Sequence, residues 1–243
     1  MSMERKMTLY VFDMDGTLTP PRLPMTEDFA LRFHEWQKTH NSFIATGSDY
    51  SKVQEQMPAY VINAFTGLYC SMGNVLMRQG TVVRQNEFAE PNGLIKDLED
   101  FRCNTKYQGP LFNNFIERRA GMINFSVLGR DCPYAERERY KAWDDIEKER
   151  LHIQAVLQEK YPQLEITVGG SISIDITPQG CGKGQIAAQL RKEYPDQEIV
   201  FFGDRTFPGG NDYELASELM KMKNTRVVQV DGPENVLEFL SLQ

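Results

Sequence analysis

Two aspartates, Asp13 and Asp15, stand two residues apart where an apolar run ends, in the stretch VFDMDGTLT at 11–19. Alternation along a strand sends their side chains in related directions and turns Met14 away. Two anions held together are costly unless a cation binds between them or they share a proton. Magnesium, a hard ion with oxygen ligands, answers that cost and leaves room for a phosphate oxygen. One aspartate can then attack phosphorus to give an aspartyl phosphate. Its neighbour can protonate the leaving oxygen and later deprotonate an incoming alcohol or water. The competing reading of the run is an Asp-rich turn that caps a helix.

A second acidic cluster lies in FFGDRTFPGGND at 201–212, where Asp204 again follows an apolar strand and Asn211 and Asp212 lie beyond a glycine-rich loop. The run lacks the regular ligand spacing and terminal Glu of a calcium-binding loop. Asp204 fits a further magnesium ligand, with Asn211 or Asp212 reaching the ion directly or through water. A loop stiffened by acidic caps is the alternative. In ATGSD at 45–49, the hydroxyls and backbone N–H groups of Thr46 and Ser48 can cradle phosphate, or can simply make a turn or a helix cap. Lys183, in GCGKG, can neutralise the nucleophilic carboxylate and the transferring phosphoryl oxygens. It is not a Walker lysine, because the long glycine spacing and the following Ser/Thr are missing. A surface lysine is the other reading.

The elements that must position these groups follow from hydrophobic patterning. TLYVF at 8–12 and SFIAT at 42–46 read as short strands, with helices over 26–39 and 49–56. This strand–helix–strand rhythm predicts a parallel sheet covered by helices, whose carboxyl edge binds ligands. The middle differs: hairpin-like pairs (73–84, with a Gln79–Gly80 turn, and 164–177) alternate with helices over 91–101 and one long charged helix over 133–161. From Lys183 the first rhythm returns, with EIVFFGD, a helix over 212–221, TRVVQV and PENVLEFL. The expected organisation is a discontinuous α/β core over 1–81 and 183–243, interrupted by an α+β domain over 82–182.

The inserted domain holds Arg118, Arg119, Asn124, Arg130, Arg137, Ser173 and Asp175. Arginine's planar fork suits phosphate and carboxylate oxygens. Arg119 and Arg130 border the INFSVLG strand. Ser173 and Asp175 alternate with Ile172, Ile174 and Ile176, so one strand face is polar. That face can meet sugar hydroxyls or can face solvent.

Composition narrows the classes. The chain of 243 residues, 41% hydrophobic and 25% charged, can bury a sizeable core. No apolar run approaches the roughly 18–20 residues that cross a bilayer. The start, MSMERKMTLYVFD, lacks a secretory hydrophobic region, so a cytoplasmic protein is expected. The net charge of −7 disfavours nucleic acid as a partner. Four scattered cysteines and three histidines outside any ligand spacing leave the chemistry to carboxylates.

FDMDGTLTPPR at 12–22 resembles the haloacid dehalogenase superfamily of aspartate-nucleophile phosphotransferases. GSDYSKVQEQ at 47–56, GMINFSVLGR at 121–130, GGSISID at 169–175 and FFGDRTFPGGND at 201–212 narrow the resemblance to its eukaryotic-type phosphomannomutases, across almost the whole chain. The resemblance implies a Rossmann-like parallel-sheet core with an inserted α+β cap. It implies Asp13 as nucleophile, Asp15 as acid and base, and Lys183 as the phosphate-site lysine. Magnesium would be held by Asp13, the Asp15 carbonyl and Asp204, helped by Asn211 and Asp212. Arg22 would stand at the substrate entrance, with Thr46 and Ser48 at the phosphate. Arg119, Asn124, Arg130, Arg137, Ser173 and Asp175 would serve the distal phosphate and sugar. The implied reaction interconverts mannose 6-phosphate and mannose 1-phosphate through a hexose bisphosphate, in a homodimer joined through its caps. The chain departs from the family pattern at TGLYCSMGN (66–74), at Gly180-Cys181-Gly182-Lys183, and at Thr46, where a glycine is usual. Thr46-Gly47 is closer to the phosphatase relatives, which makes a magnesium-dependent sugar-phosphate phosphatase the alternative.

Overall fold

The run LYVF is apolar at every position, and a strand covered on both faces must be. In the computed structural model, which describes residues 8–241, it forms β1 (Leu9–Phe12) with all four residues buried. Leu9 and Val11 share a cluster with Ile186, Leu190 and Leu215. Tyr10 and Phe12 meet Trp36 and Phe33 edge to face, at ring separations of 4.8 and 5.3 Å. The amino-terminal stretch with its early basic residues lies outside the described residues.

After β1 come α1 (Glu27–Gln37), β2 (Asn41–Ala45), α2 (Tyr50–Gln56), α3 (Ala59–Ala64), β3 (Gly67–Cys70), a single 3-10 turn, β4 (Val75–Arg78) and β5 (Thr81–Gln85). Thr26 caps α1 and Asp49 caps α2, each accepting the N–H three residues on. Gln79 and Gly80, both at positive φ, make the two-residue hairpin turn between β4 and β5. Next stand α4 (Leu94–Cys103), β6 (Ile116–Arg119), β7 (Met122–Phe125), α5 (Tyr134–Glu147), α6 (Glu149–Lys160), β8 (Leu164–Gly169) and β9 (Ser173–Pro178). The chain closes with α7 (Gln185–Glu193), β10 (Ile199–Gly203), α8 (Tyr213–Met220), β11 (Thr225–Gln229) and α9 (Pro233–Ser241).

These elements divide into two compact units, Met1–Gln85 with Gly182–Gln243 and Asn86–Cys181. The first holds a seven-stranded sheet in the order β11-β10-β1-β2-β3-β4-β5. Its β11, β10, β1, β2 and β3 are parallel neighbours, and β4 and β5 add an antiparallel edge. Helices α1, α3 and α9 pack together, as do α7 and α8. The second unit is a four-stranded antiparallel sheet, β6-β7-β9-β8, with its own core of Ile123, Phe125, Ile174, Ile176, Leu157 and Tyr140.

Two expectations are corrected. A boundary at residue 82 falls inside β5, which pairs with β4 and stays with the first sheet. The single helix over 133–161 is two helices, broken at Lys148, whose φ is 57°. The break lets Asp144 receive the backbone N–H of Arg150 at 2.9 Å and its Nε at 2.7 Å, an ion pair with both side chains only 6% exposed. A helical pattern of charges reports solvated faces and hides such a buried pair.

Candidate active site

The carboxyl ends of β1, β2 and β10, adjacent parallel strands, deliver Asp13, Thr46 and Asp204 to one edge of the first unit's sheet. Asp13 is buried. So is Lys183, which enters from the turn before α7, and so is Asp212 at the start of α8. Lys183 Nζ donates to Asp13 Oδ1 at 2.6 Å and to Asp212 Oδ1 at 2.5 Å. The reading of Lys183 as a surface residue is thereby overturned. Burial alone would discharge its ammonium, but Asp13 and Asp212 outweigh burial and raise its pKa.

Asp13, Asp204 and Asp212 each present an oxygen within 4.8 Å of the others. Burial, and then Asp212, push the Asp13 carboxyl well above the usual range against the opposing pull of Lys183. The same two causes raise Asp204 to about 6, with Lys183 and Arg205 opposing. Three carboxylates against one ammonium leave unbalanced negative charge. Asp13 Oδ2, Asp204 Oδ1 and Asn211 Oδ1 are also buried without a hydrogen-bond partner among the described residues. Orphaned buried oxygens of this kind are what a hard divalent cation satisfies, so the residues present fit magnesium. Gly16 makes room for them: at φ +89° it lies where a Cβ would stand 2.5 Å from Asp204 Oδ2.

Asp15 is not a member of this carboxylate group. Its Oδ1 accepts the backbone N–H of Arg22 at 2.8 Å and Gln56 Nε2 at 3.0 Å. Arg22 engages it through its main chain, and its side chain is exposed. Thr46 and Ser48 are buried, with Thr46 Oγ1 accepting the Ser48 N–H at 3.0 Å. The carbonyls of Thr46 and Ser48 accept from Met72 and Ser71, which ties this loop to the turn after β3. Sequence reasoning passed over Gln56, since one amide at a helix end carries no pattern.

In the second unit the register sets Asn124 opposite Asp175 and Ile123 opposite Ile176. The isoleucines join the core, and the polar face is itself buried: Asn124, Arg130, Ser173 and Asp175 are each at most 9% exposed. The solvent-facing reading of that strand is therefore set aside. Asn124 donates to Asp175 Oδ1 at 2.5 Å, and Arg130 donates to Asn124 and, at 2.9 Å, to Ser173. Arg119 and Arg130 converge on Glu117 Oε2 at 2.9 and 2.5 Å. Arg137 donates to the Arg130 carbonyl at 2.7 Å. Arg118 pairs instead with Glu90. Glu117 went unread in the sequence, where its only signal is the i, i+2 spacing that puts it on the strand face of Arg119.

The family model for eukaryotic phosphomannomutases matches residues 30–241. A phosphomannomutase of Spinacia oleracea is 35% identical over 94% of this chain and 92% of its own length. One of Dendrobium officinale is 33% identical over 97% and 95% respectively. Among solved structures, Plasmodium falciparum IMP-nucleotidase aligns with a TM-score of 0.65, at 16% identity over 99% of this chain and 71% of that one. Aspergillus fumigatus trehalose-6-phosphate phosphatase aligns at 0.55, with 18% identity over 98% and 92%. Those two likenesses speak for the fold, an α/β core of the haloacid dehalogenase type. With sequence and fold in agreement, the chain belongs to the eukaryotic phosphomannomutase family of that superfamily.

Proposed function

We propose that the chain interconverts mannose 6-phosphate and mannose 1-phosphate, with Asp13 as nucleophile and a hexose bisphosphate as both activator and intermediate. The observation that carries the reading is the setting of Asp13: it is buried at the carboxyl end of β1, bonded to the Lys183 ammonium, with Asp204 and Asp212 near enough to share a cation with it. A carboxylate oxygen of Asp13 attacks one phosphorus of the bisphosphate, the bond from phosphorus to the sugar oxygen breaks, and that oxygen takes a proton from Asp15. Asp15 then removes the proton of the free 6-hydroxyl of an incoming mannose 1-phosphate, whose oxygen takes the phosphoryl group from Asp13, and the bisphosphate so formed reorients for the next transfer. Lys183 opposes the protonation of Asp13 that burial favours, and stabilises the charge on the transferring oxygens.

Magnesium would be held by Asp13, Asp204 and Asp212, with Asn211 and the Asp15 carbonyl, and supplies charge neutralisation and orientation of the phosphoryl group. Thr46 and Ser48 would line the phosphate site, with Arg22 at the entrance. Arg119, Asn124, Arg130, Arg137, Ser173 and Asp175 would hold the sugar and its second phosphate. The buried arginine pair on Glu117 supports a mutase over a phosphatase, because a bisphosphate needs anchoring at both ends. The reading carries with it a cap-joined homodimer in the cytoplasm, acting without nucleic acid. Among the described residues, no helix is long and apolar enough to cross a membrane.

The test supplies mannose 1-phosphate, magnesium and a catalytic amount of hexose 1,6-bisphosphate, and follows mannose 6-phosphate and inorganic phosphate together. Mannose 6-phosphate without matching phosphate release is expected, and Asp13→Asn abolishes it. Release of inorganic phosphate alone overturns the mutase reading in favour of a sugar-phosphate phosphatase.

A further inference from the structure

We infer that Gln56 is the positioning residue of the acid–base carboxylate, and that it assigns the transferable proton to Asp15 Oδ2. The inference rests on the phosphotransferase reading above.

Gln56 ends α2 and is 6% exposed. Its Nε2 shares two N–H groups among three oxygens, Asp15 Oδ1 at 3.0 Å, Thr19 Oγ1 at 3.2 Å and the Leu23 carbonyl at 3.3 Å. All three partners are oxygens. Turning the amide over would set its own oxygen against a carboxylate and a carbonyl, so the network fixes its orientation. The Gln56 carbonyl accepts the Met25 N–H at 2.7 Å. One residue on a helix thus ties the segment from Asp15 to Met25 in four places.

Oδ1 of Asp15 already takes two N–H donors, from Gln56 and from Arg22, whose φ of 62° is uncommon for a residue with a Cβ. An oxygen occupied by two donors is a poor seat for a proton. Asp15 Oδ2 accepts no hydrogen bond from the described residues, and so carries the proton that is given and taken back. Gln56 acts only through Asp15.

This division predicts a dependence on leaving group that a merely structural residue would not show. When a hexose bisphosphate phosphorylates Asp13, the electron pair of the breaking P–O bond goes to a sugar oxygen, which needs the Asp15 proton. When acetyl phosphate does so, the pair leaves on acetate, which needs none. Single-turnover phosphorylation of Asp13 is therefore measured with both donors, for the unaltered protein, Asp15→Asn and Gln56→Met. Gln56→Met keeps the volume and removes the donor. It is expected to slow transfer from the bisphosphate roughly 10- to 100-fold, a part of what general acid catalysis contributes. Transfer from acetyl phosphate is expected to change by less than about threefold.

Equal losses on both donors, or no loss on the bisphosphate, overturn the role of Gln56 if Asp15→Asn remains donor-selective. Should Asp15→Asn itself show no selectivity, the acid–base reading of Asp15 fails, and the inference with it. If Gln56→Met does not fold, Gln56→Glu, of the same shape, must show the same selectivity. Failure of both to fold marks Gln56 as structural and likewise overturns the inference.

Discussion

Replacing Lys183 with Met tests the electrostatics of the site most directly. The side chain is 1% exposed, and its two hydrogen bonds, at 2.6 and 2.5 Å, reach carboxylates that are themselves 3% and 0% exposed. Each charge-assisted bond contributes about 1.5–3 kcal/mol. Breaking a buried pair by removing one partner costs about 3–5 kcal/mol, because the other charge is stranded. A loss of about 3–5 kcal/mol at pH 7.5 is therefore expected in urea unfolding with metal chelated. The sign with pH follows from Asp13, whose carboxyl already lies above the usual range and loses the opposing pull of Lys183 in the variant. A carboxyl raised in the folded state contributes stability below its unfolded pKa, near 3.9, and that contribution is lost as pH rises through the folded value. The destabilisation by Lys183→Met should thus shrink from pH 7.5 to pH 5. Lys183 in the unaltered protein adds no slope there, since its contribution is lost only above about 10.4. A loss under about 1 kcal/mol, or one equal at both pH values, would refute the reasoning.

Two further outcomes follow. The proton competes with magnesium for Asp204, which is raised to about 6 without metal, so magnesium affinity should fall as pH drops through 6; a flat calorimetric titration series contradicts this. Arg150→Ala strands Asp144 in the second unit's core and should cost about 3–5 kcal/mol, whereas Asp144→Leu with Arg150→Met should cost much less; equal losses in chemical unfolding would show that the pair is not the cause.

The strands bearing Asp13, Thr46 and Asp204 were legible because parallel central strands are apolar throughout and end where polar residues begin. The parallel-sheet core and the inserted α+β unit followed from the change of rhythm along the chain. Helix α3 and strand β3 were not read, since AYVINA and GLYC are too short for either period to declare itself. Lys183 was ambiguous because only tertiary contact with residues 170 and 29 positions away decides its burial. The residues missed outright, Gln56, Glu117 and the Asp144–Arg150 pair, act on other side chains. A supporting role of that kind has a spatial signature and no sequence motif.

The strand order β10-β1-β2 has a consequence for how the molecule is made. Synthesis runs from the amino end, so β1 emerges long before its neighbour β10, and Asp13 before Lys183. The second unit is one continuous stretch, 86–181, and has its whole hydrophobic core before β1 gains its other neighbour, β10. Nascent β1 and β2 then wait on the ribosome with one flank unpaired, a sticky apolar ladder of the sort that chaperones shield. Residues 183–241 close that edge and deliver the ammonium in the same event, so without them β1 lacks its second neighbour and Asp13 its neutralising partner.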